Sequence, residues 1–282
     1  MKLTSNMQAA IDFGISNTDT IAQLNGEWRR WTKPYIGQPT PEVVRTILAA
    51  GGIKLEDLAK LAVTGGRHRL LPAQIDQCSI VGVGELQAIG RGGQAAGGLT
   101  DQDATPVLVV SAGSGTAVVA ARGKQYQHVT GTAVGGGTML GLGRLLIQTV
   151  DPNEIDALAQ SGNPNGVDLR LADVVTGPIG TLPADATAVN FGRLAREDFT
   201  AKREDLAAAL VTLVGQVIGF LAINAARSQQ IERVVVIGHM TDMPSIRRVL
   251  TSVGQYYGTA IDVPDNGGYA TALGALLYAE SN

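Results

Sequence analysis

The sequence has little cysteine and little histidine. Cys78 is the single cysteine among 282 residues, which excludes an internal disulfide framework and fits the reducing cytosol. We therefore expect a cytoplasmic protein in which this residue is a small buried hydrophobic side chain. The three histidines, His68, His128 and His239, are too dispersed for a recognisable metal-ligand spacing, so no zinc site is predicted.

Aromatic residues are also scarce, at 4% of the chain, and the formal net charge is only −3. Proteins that bind nucleic acid usually present a basic surface and aromatic side chains for base stacking, so no nucleic-acid partner is expected. The first ten residues lack the apolar core of a signal peptide and lead directly into a strand.

One long apolar run is present, at residues 206–223, and it contains no charged residue. Its length is at the lower limit for a membrane span. Polar residues inside and beside the run, and a strand shortly after it, favour a buried core or interface helix instead. We therefore expect no contact with a membrane.

Glycine is abundant, with 36 residues, and segment 107–146 concentrates it. An apolar strand at 107–110 leads into a small-residue turn at 111–116, and a second apolar run at 117–121 returns as a hairpin. A triple glycine at 135–137 then precedes a helical pattern. Glycine turns and helix N-termini expose backbone N–H groups to anions, so the two clusters together predict phosphate binding. Either cluster alone is more typical of an ordinary turn.

The clusters match neither of the two common nucleotide motifs. No Gly-Lys-Ser/Thr follows the glycines, as a P-loop requires, and no G-x-G-x-x-G follows the first strand of a βαβ unit. No motif for a Ser-His-Asp triad is present either, so a hydrolase is not favoured. The two glycine clusters are therefore neither a P-loop nor a dinucleotide fingerprint.

Two carboxylates are candidates for the chemistry. Asp12 ends a predicted strand at 8–13, where it suits a metal or phosphate contact, although an Asp in a turn is usually only a turn residue. Glu85 begins a predicted helix, where an acid either compensates the helix dipole or acts as a catalytic base beside a cleft. Sequence spacing does not separate these two roles.

The order of elements predicts an α/β protein made of two related halves. Strands at 61–63 and 231–237 end in glycine-containing turns, which is typical of sheets with a site at the carboxyl ends of their strands. Each half begins with a strand pair and a glycine turn, so duplicated lobes with a cleft between them are expected. The polar, proline-containing stretch 26–41 is predicted to be a loop.

The run Val129–Leu146, VTGTAVGGGTMLGLGRLL, resembles the glycine-rich signature of type II pantothenate kinases of the eukaryotic and staphylococcal type. The resemblance covers nearly the whole chain, because further blocks occur in the family's order. They are Asp12-Phe13-Gly14, Thr64-Gly65-Gly66, Glu85-Leu86, Ser114-Gly115, Asn190-Phe191-Gly192, 233–238 and 267–277.

The resemblance implies a two-lobed actin-like ATPase fold of the ribonuclease H-like type, with ATP and Mg²⁺ in the cleft between the lobes. It divides the chain into an N-terminal lobe at 1–104, with the substrate and the catalytic base, and a C-terminal lobe at 105–282, with the nucleotide loops and a dimer helix. The final helix is a candidate to pack back on the N-terminal lobe. A homodimer and an acyl-CoA feedback ligand are further implied partners.

The implied reaction transfers the γ-phosphoryl group of ATP to the primary hydroxyl of pantothenate, the first step of coenzyme A biosynthesis. Glu85 would be the catalytic base, and Asp12 would lie beside the magnesium ion. The implied nucleotide-binding residues are Gly14, Ser16, Gly113, Ser114, Gly115, Thr116, Gly135, Gly136, Gly137, Thr138 and Gly238. The implied substrate-binding residues are His128, Thr130, Gly131 and Thr132.

The chain departs from the family's pattern at several positions. The second glycine after Asp12 is absent, Asp19 stands where the family has a lysine, and Asn190 replaces a serine. His128 replaces an arginine, which removes a fixed bidentate donor. Two alternatives therefore stay open: a kinase of the same fold for another small alcohol, such as pantetheine or a sugar, and a nucleotide- or coenzyme A-binding protein with weakened catalysis.

Overall fold

The structure is a computed structural model that describes residues 7–35, 37–177, 179–180, 182–196 and 199–281. The extreme N-terminus, for which the sequence predicts no signal core, lies outside these residues. The described part of the chain contains two large β-sheets and one two-stranded ribbon, with helices packed against the large sheets.

The first elements along the chain are β1 (Gln8–Phe13), β2 (Asn17–Leu24), β3 (Glu27–Pro34), α1 (Pro41–Ala50), β4 (Lys60–Thr64), β5 (Gln74–Ile75) and β6 (Cys78–Gly82). Their strands form a mixed sheet with the order β3-β2-β1-β4-β6-β5. Strands β1, β2 and β3 are antiparallel neighbours, whereas β1, β4 and β6 run parallel. Apolar side chains of helix α1 pack with Ile11 and Val63 on one face of this sheet.

The strands of the second sheet are β7 (Val107–Ala112), β8 (Thr116–Arg122), β9 (Gln125–Thr132), β12 (Arg233–Ile237) and β13 (Ile261–Asp262). This sheet repeats the topology of the first, with strand order β13-β12-β7-β8-β9. Its strands β7, β8 and β9 are antiparallel neighbours, and β7, β12 and β13 run parallel. The duplicated lobes expected from the sequence are therefore present.

Helices and a short ribbon complete the described structure. The ribbon pairs β10 (Leu169–Arg170) with β11 (Thr187–Val189). The helices are α2 (Glu85–Ala96), α3 (Gly136–Ile147), α4 (Pro152–Ser161), α5 (Leu171–Val174), α6 (Arg203–Gln229), α7 (Pro244–Tyr257) and α8 (Ala270–Glu280).

The prediction of a loop at 26–41 is wrong, because residues 27–34 form β3 along the whole length of β2. Asn25 and Gly26 both have positive φ, at 50° and 87°. This Asn-Gly pair is a strong hairpin signal that the polar composition obscured. Strand β3 lies at the edge of the sheet, where most of its side chains are polar. Of the two tryptophans in β3, only Trp31 packs against the core.

Helix α6 is the apolar run that passes the length and composition test for a membrane span. Within the structure, 61% of its most apolar window is buried by other parts of the chain. Leu210, Val214 and Ile218 belong to the largest core cluster, between the second sheet and helices α3, α4 and α7. The helix is therefore a core helix of this lobe, as the sequence predicted.

Helices α2 and α8 each cover the sheet of the opposite half of the sequence. Ile89 of α2 packs with Val109 and Val119 of the second sheet. Ala272 and Leu276 of α8 belong to a cluster with strands of the first sheet. The two helices also pack tightly on each other, so they join the lobes. The boundary between residues 104 and 105 stays a prediction.

We predict that Gly274→Ala destabilises the protein by roughly 2–4 kcal/mol, because overpacking at a close backbone contact is costly. A Cβ atom at Gly274 would overlap the carbonyl oxygen of Ala88 and the backbone of Gly92 in the facing helix. Thermal unfolding monitored by circular dichroism measures this loss.

Gly141→Ala is the matched control. It lies in α3, and a Cβ atom there would meet no atom within 4 Å. Alanine is the better helix former, so this variant should be neutral or stabilised by up to about 1 kcal/mol. Equal unfolding temperatures for the two variants would contradict the close α2–α8 contact.

Candidate active site

A cavity of about 830 Å³ lies between the two lobes. Residues that follow the carboxyl ends of β1, β4, β7 and β12 line it, as expected for an open parallel arrangement. Gly14 and Gly65 come from the first sheet, and Gly113 and Gly238 from the second. The duplicated topology therefore brings equivalent turns of both lobes to one cleft.

Two glycines occupy equivalent positions in the lobes. Gly65 follows β4 with φ of +91°, and Gly238 follows β12 with φ of +102°. A Cβ atom at Gly65 would overlap the carbonyl oxygen of Phe13, and one at Gly238 would overlap that of Ala112. Only glycine suits both the backbone angle and the close approach, so the chain can turn directly beside the neighbouring strand end.

The wall formed by the first lobe is acidic. Asp12 and Asp19 are cross-strand partners in β1 and β2, and Glu85 at the N-terminus of α2 lines the same cavity. Burial raises the pKa of Asp12 to about 7, with further increases from the charges of Asp19 and Glu85. His239 opposes this shift only partly. Such crowding of carboxylates favours binding of a cation.

The second lobe supplies the turn at 113–116, and helix α3 supports that turn from behind. The backbone N–H groups of Gly136 and Gly137 donate to the carbonyl oxygens of Gly113 and Ser114, at 2.8 and 2.9 Å. These two N–H groups of the triple glycine are therefore occupied within the protein. At the tip of the turn, the hydroxyls of Ser114 and Ser16 lie 2.7 Å apart, so the equivalent turns of the two lobes touch.

The structure brings together twelve of the residues that the sequence singled out. The cavity is lined by Asp12, Gly14, Ser16, Glu85, Gly113, Ser114, Gly115, Thr116, Thr132, Gly136, Gly137 and Gly238. Gly135 and Thr138 lie just behind the lining, where the Thr138 hydroxyl donates to the Ala133 carbonyl oxygen. His128, Thr130 and Gly131 lie farther along β9, also outside the lining, and His128 is exposed to solvent.

One polar cluster of the site was missed by sequence reasoning. His239 Nε2 lies 2.8 Å from Asp19 Oδ1, and its Nδ1 lies 2.7 Å from Asp242 Oδ2. Burial alone would lower the pKa of His239, but the hydrogen bonds to Asp19 and Asp242 outweigh it and raise the pKa to about 10. The imidazole is therefore charged at neutral pH. The only hint in the sequence was the acid at position 19.

An apolar end of the cavity was also missed. It is lined by Met139, Leu140, Pro152, Met240, Met243 and Pro244, from α3, α4, the segment between β12 and α7, and the first residue of α7. Asp156 of α4 accepts hydrogen bonds from the backbone N–H and the hydroxyl of Ser245 at the start of α7. These two hydrogen bonds fix the two helices that flank the apolar end. The surface suits a flat, largely apolar group such as a nucleobase.

Among the described residues, no group of three or more His, Cys, Asp or Glu side chains is arranged to hold a metal ion alone. Mg²⁺ does not require such a group, because it usually takes one or two carboxylates and completes its shell with water and substrate phosphates. Asp12, whose carboxylate lies in a crowded acidic wall, fits that type of site.

Two equivalent α/β lobes with a cleft at their strand ends define the fold of actin-like ATPases. Similar solved structures include the activator of 2-hydroxyisocaproyl-CoA dehydratase from Clostridium difficile with bound ADPNP, with a TM-score of 0.63, 20% identity and coverage of 98% of this chain and 94% of that one. A ROK family glucokinase from Streptomyces griseus in complex with glucose and AMPPNP has a TM-score of 0.57, 14% identity and coverage of 98% and 100%.

The chain belongs to the Fumble family, whose model matches residues 92–278. A curated relative over nearly the full length is a type II pantothenate kinase from Bacillus cereus. It is 26% identical over 276 residues, which cover 97% of this chain and 99% of that protein. The family resemblance inferred from the sequence blocks is therefore confirmed.

We predict that Asp12→Asn stabilises the ligand-free protein at pH 8. The pKa of Asp12 is raised from 3.8 to about 7, so ionisation costs stability progressively between about pH 4 and pH 7 and fully above it. Removing the charge recovers roughly 4 kcal/mol at most, which corresponds to several degrees in melting temperature. Melting temperatures at pH 8 and pH 4 measure the effect. A variant no more stable than the parent at pH 8 would contradict the raised pKa.

Proposed function

We propose that the protein is an ATP-dependent kinase that phosphorylates the primary hydroxyl of pantothenate, the first step of coenzyme A biosynthesis. The observation that carries the proposal is the meeting of two equivalent glycine turns beside Asp12 and Glu85 in one interlobe cleft. The name of the full-length Bacillus cereus relative supports pantothenate as the acceptor.

The residues of the cleft suit phosphoryl transfer, which depends on positioning and charge stabilisation more than on covalent help. In this proposal the turn at 113–116 binds the phosphates of ATP, and Asp12 helps to hold Mg²⁺. The metal would offset the charge of the phosphates when bound. The apolar end of the cavity, with Met139 and Met243, would take the adenine base.

Glu85 is the proposed base for the acceptor hydroxyl. It lies at the N-terminus of α2 and lines the cavity together with Gly66, Ile89 and Thr132. A carboxylate within reach of the hydroxyl can accept its proton during transfer. The remaining predicted substrate residues, which include His128, lie farther along β9 and would contact only the distal part of an acceptor.

A kinase for another small alcohol is the second candidate. The observation that favours it is the exposed His128 in the place of the family's arginine, because the imidazole offers no bidentate contact to a carboxylate such as that of pantothenate. Pantetheine and sugars are the acceptors to compare with pantothenate.

We predict that the purified protein consumes ATP with Mg²⁺ in a pantothenate-dependent manner, and that Glu85→Gln lowers kcat by about 10²–10⁴-fold because the variant cannot accept the proton. The readout is a coupled assay for ADP formation. Glu42→Gln is the matched control, since Glu42 is also an acid in the first turn of a helix but lies outside the cavity. That variant should keep nearly full activity.

Each outcome of this assay assigns the function. If Glu85→Gln keeps the same kcat as the control Glu42→Gln, Glu85 only compensates the dipole of its helix, as Glu42 does. ATP binding without stimulation by pantothenate, but with stimulation by another alcohol of the panel, would overturn pantothenate as the acceptor and support the second candidate.

We also propose a homodimer that packs through α6. Its side chains Leu213, Val217, Phe220 and Leu221 are only half-buried within one chain, so a further apolar surface is available to a second copy. A cytoplasmic location and an acyl-CoA feedback ligand complete the proposal.

We predict that Val217→Glu shifts the protein from dimer to monomer in sedimentation-velocity experiments, because an unpaired charge would be buried at the interface. Leu145→Glu is the control, since Leu145 is 77% exposed on α3. A parent protein that sediments as a monomer, or a dimer that survives Val217→Glu, would contradict an interface on this helix.

A further inference from the structure

His239 connects the two lobes directly across the cleft. It follows β12 of the second sheet, and its Nε2 lies 2.8 Å from Asp19 Oδ1 on β2 of the first sheet. Its Nδ1 lies 2.7 Å from Asp242, which belongs to the same short helical turn as the histidine. One ring nitrogen therefore bonds between the lobes and the other bonds within a lobe.

A second contact holds the same carboxylate from another side. The Thr32 hydroxyl donates to Asp19 Oδ1 at 2.6 Å, and it lies 3.1 Å from the hydroxyl of Tyr269. Thr32 belongs to β3 of the first sheet, whereas Tyr269 lies directly before α8 and packs edge-on against the His239 ring. The Asp19 side chain is 9% exposed, so it is fixed within this group.

The ring must carry both protons in this geometry. Each nitrogen faces a carboxylate oxygen, and a neutral imidazole could donate to only one of them. The imidazolium is also the only basic side chain among the described residues that line the cavity, where five acids are present. They are Asp12, Asp19, Glu85, Asp156 and Asp242.

We propose that His239 is a positioning residue that ties Asp19 across the cleft and thereby holds the two lobes at the separation that phosphoryl transfer requires. The inference rests on the proposed kinase function. Charge-assisted hydrogen bonds are strong and directional, so one such bond between rigid lobes restricts opening of the cleft. Without the cation, Asp19 would also repel the neighbouring Asp12 and Glu85 with no compensating charge from the other lobe.

The distance between the lobes is the direct measurement. Spin labels at Lys54→Cys on the first lobe and Leu145→Cys on the second lie at exposed positions, and the buried Cys78 stays unlabelled. Pulsed electron paramagnetic resonance on the nucleotide-free protein should give one narrow distribution of distances between the two spin labels. His239→Gln and Asp19→Asn should each broaden it or shift it by several ångströms, whereas Asp242→Asn, which keeps the interlobe bond, should change it little.

Kinetics with ATP and the active acceptor provide the second measurement. His239→Gln and Asp19→Asn should each lower kcat by about tenfold or more, and the double variant should lose no more than either single variant, because both remove the same bond. His239→Arg, which keeps a cation with donors for both carboxylates, should retain more activity than His239→Gln. A merely structural histidine would show neither this non-additivity nor this rescue.

The two measurements distinguish the proposed positioning role of His239 from the proposed kinase function. An unchanged distance distribution in both His239→Gln and Asp19→Asn, or fully additive losses in kcat, would overturn the role of His239. Absence of turnover with pantothenate or any other alcohol, together with a distance change in these variants, would overturn the kinase function and leave the interlobe contact established. Melting temperatures of each variant show that the compared proteins are folded.

Discussion

The close packing of α2 against α8 is the contact on which the cleft depends. Each helix covers the sheet of the opposite half of the chain, so neither lobe is complete without the other. Because Gly92 and Gly274 have no side chains, the backbones of the two helices come into direct contact. With the helices joined in this way, the carboxyl ends of β1 and β4 face those of β7 and β12, and the space between them becomes the site.

The site combines a requirement of the chemistry with a cost in stability. The proposed binding of a metal ion and a triphosphate requires carboxylates at the wall of the cleft, but in the ligand-free protein these carboxylates repel one another. The pKa of Asp12 is raised first by burial and then by that repulsion. His239, charged between Asp19 and Asp242, offsets part of the negative charge. Because the compensating cation belongs to the other lobe, the proposed positioning role of His239 connects the charge balance of the site with the separation of the lobes.

Much of the fold could be predicted from the sequence, because strands that end in glycine turns have a local signature. The duplicated topology followed from these turns, and the buried helix α6 followed from its long apolar run. Strand β3 did not, because its polar residues conceal an edge strand whose hydrogen bonds come from β2. The triple glycine also acts differently from a free helix N-terminus, since Gly136 and Gly137 donate to the neighbouring turn. Local sequence does not show which carbonyl oxygen will accept a hydrogen bond from a given backbone N–H group.

The sequence by itself determined most of the elements other than β3, the glycine turns and the family, because backbone conformation and apolar periodicity are encoded over a few neighbouring residues. Tertiary structure alone decided which of these turns face each other and which charges they bring together. Asp19 and His239 are 220 positions apart, and no spacing rule connects them. His128 lies beside the glycine-rich block in sequence but outside the cavity, because β9 carries it along the edge of the sheet. Pairing of distant strands and crossing of α2 with α8 set these distances, and both depend on packing energy summed over the whole chain.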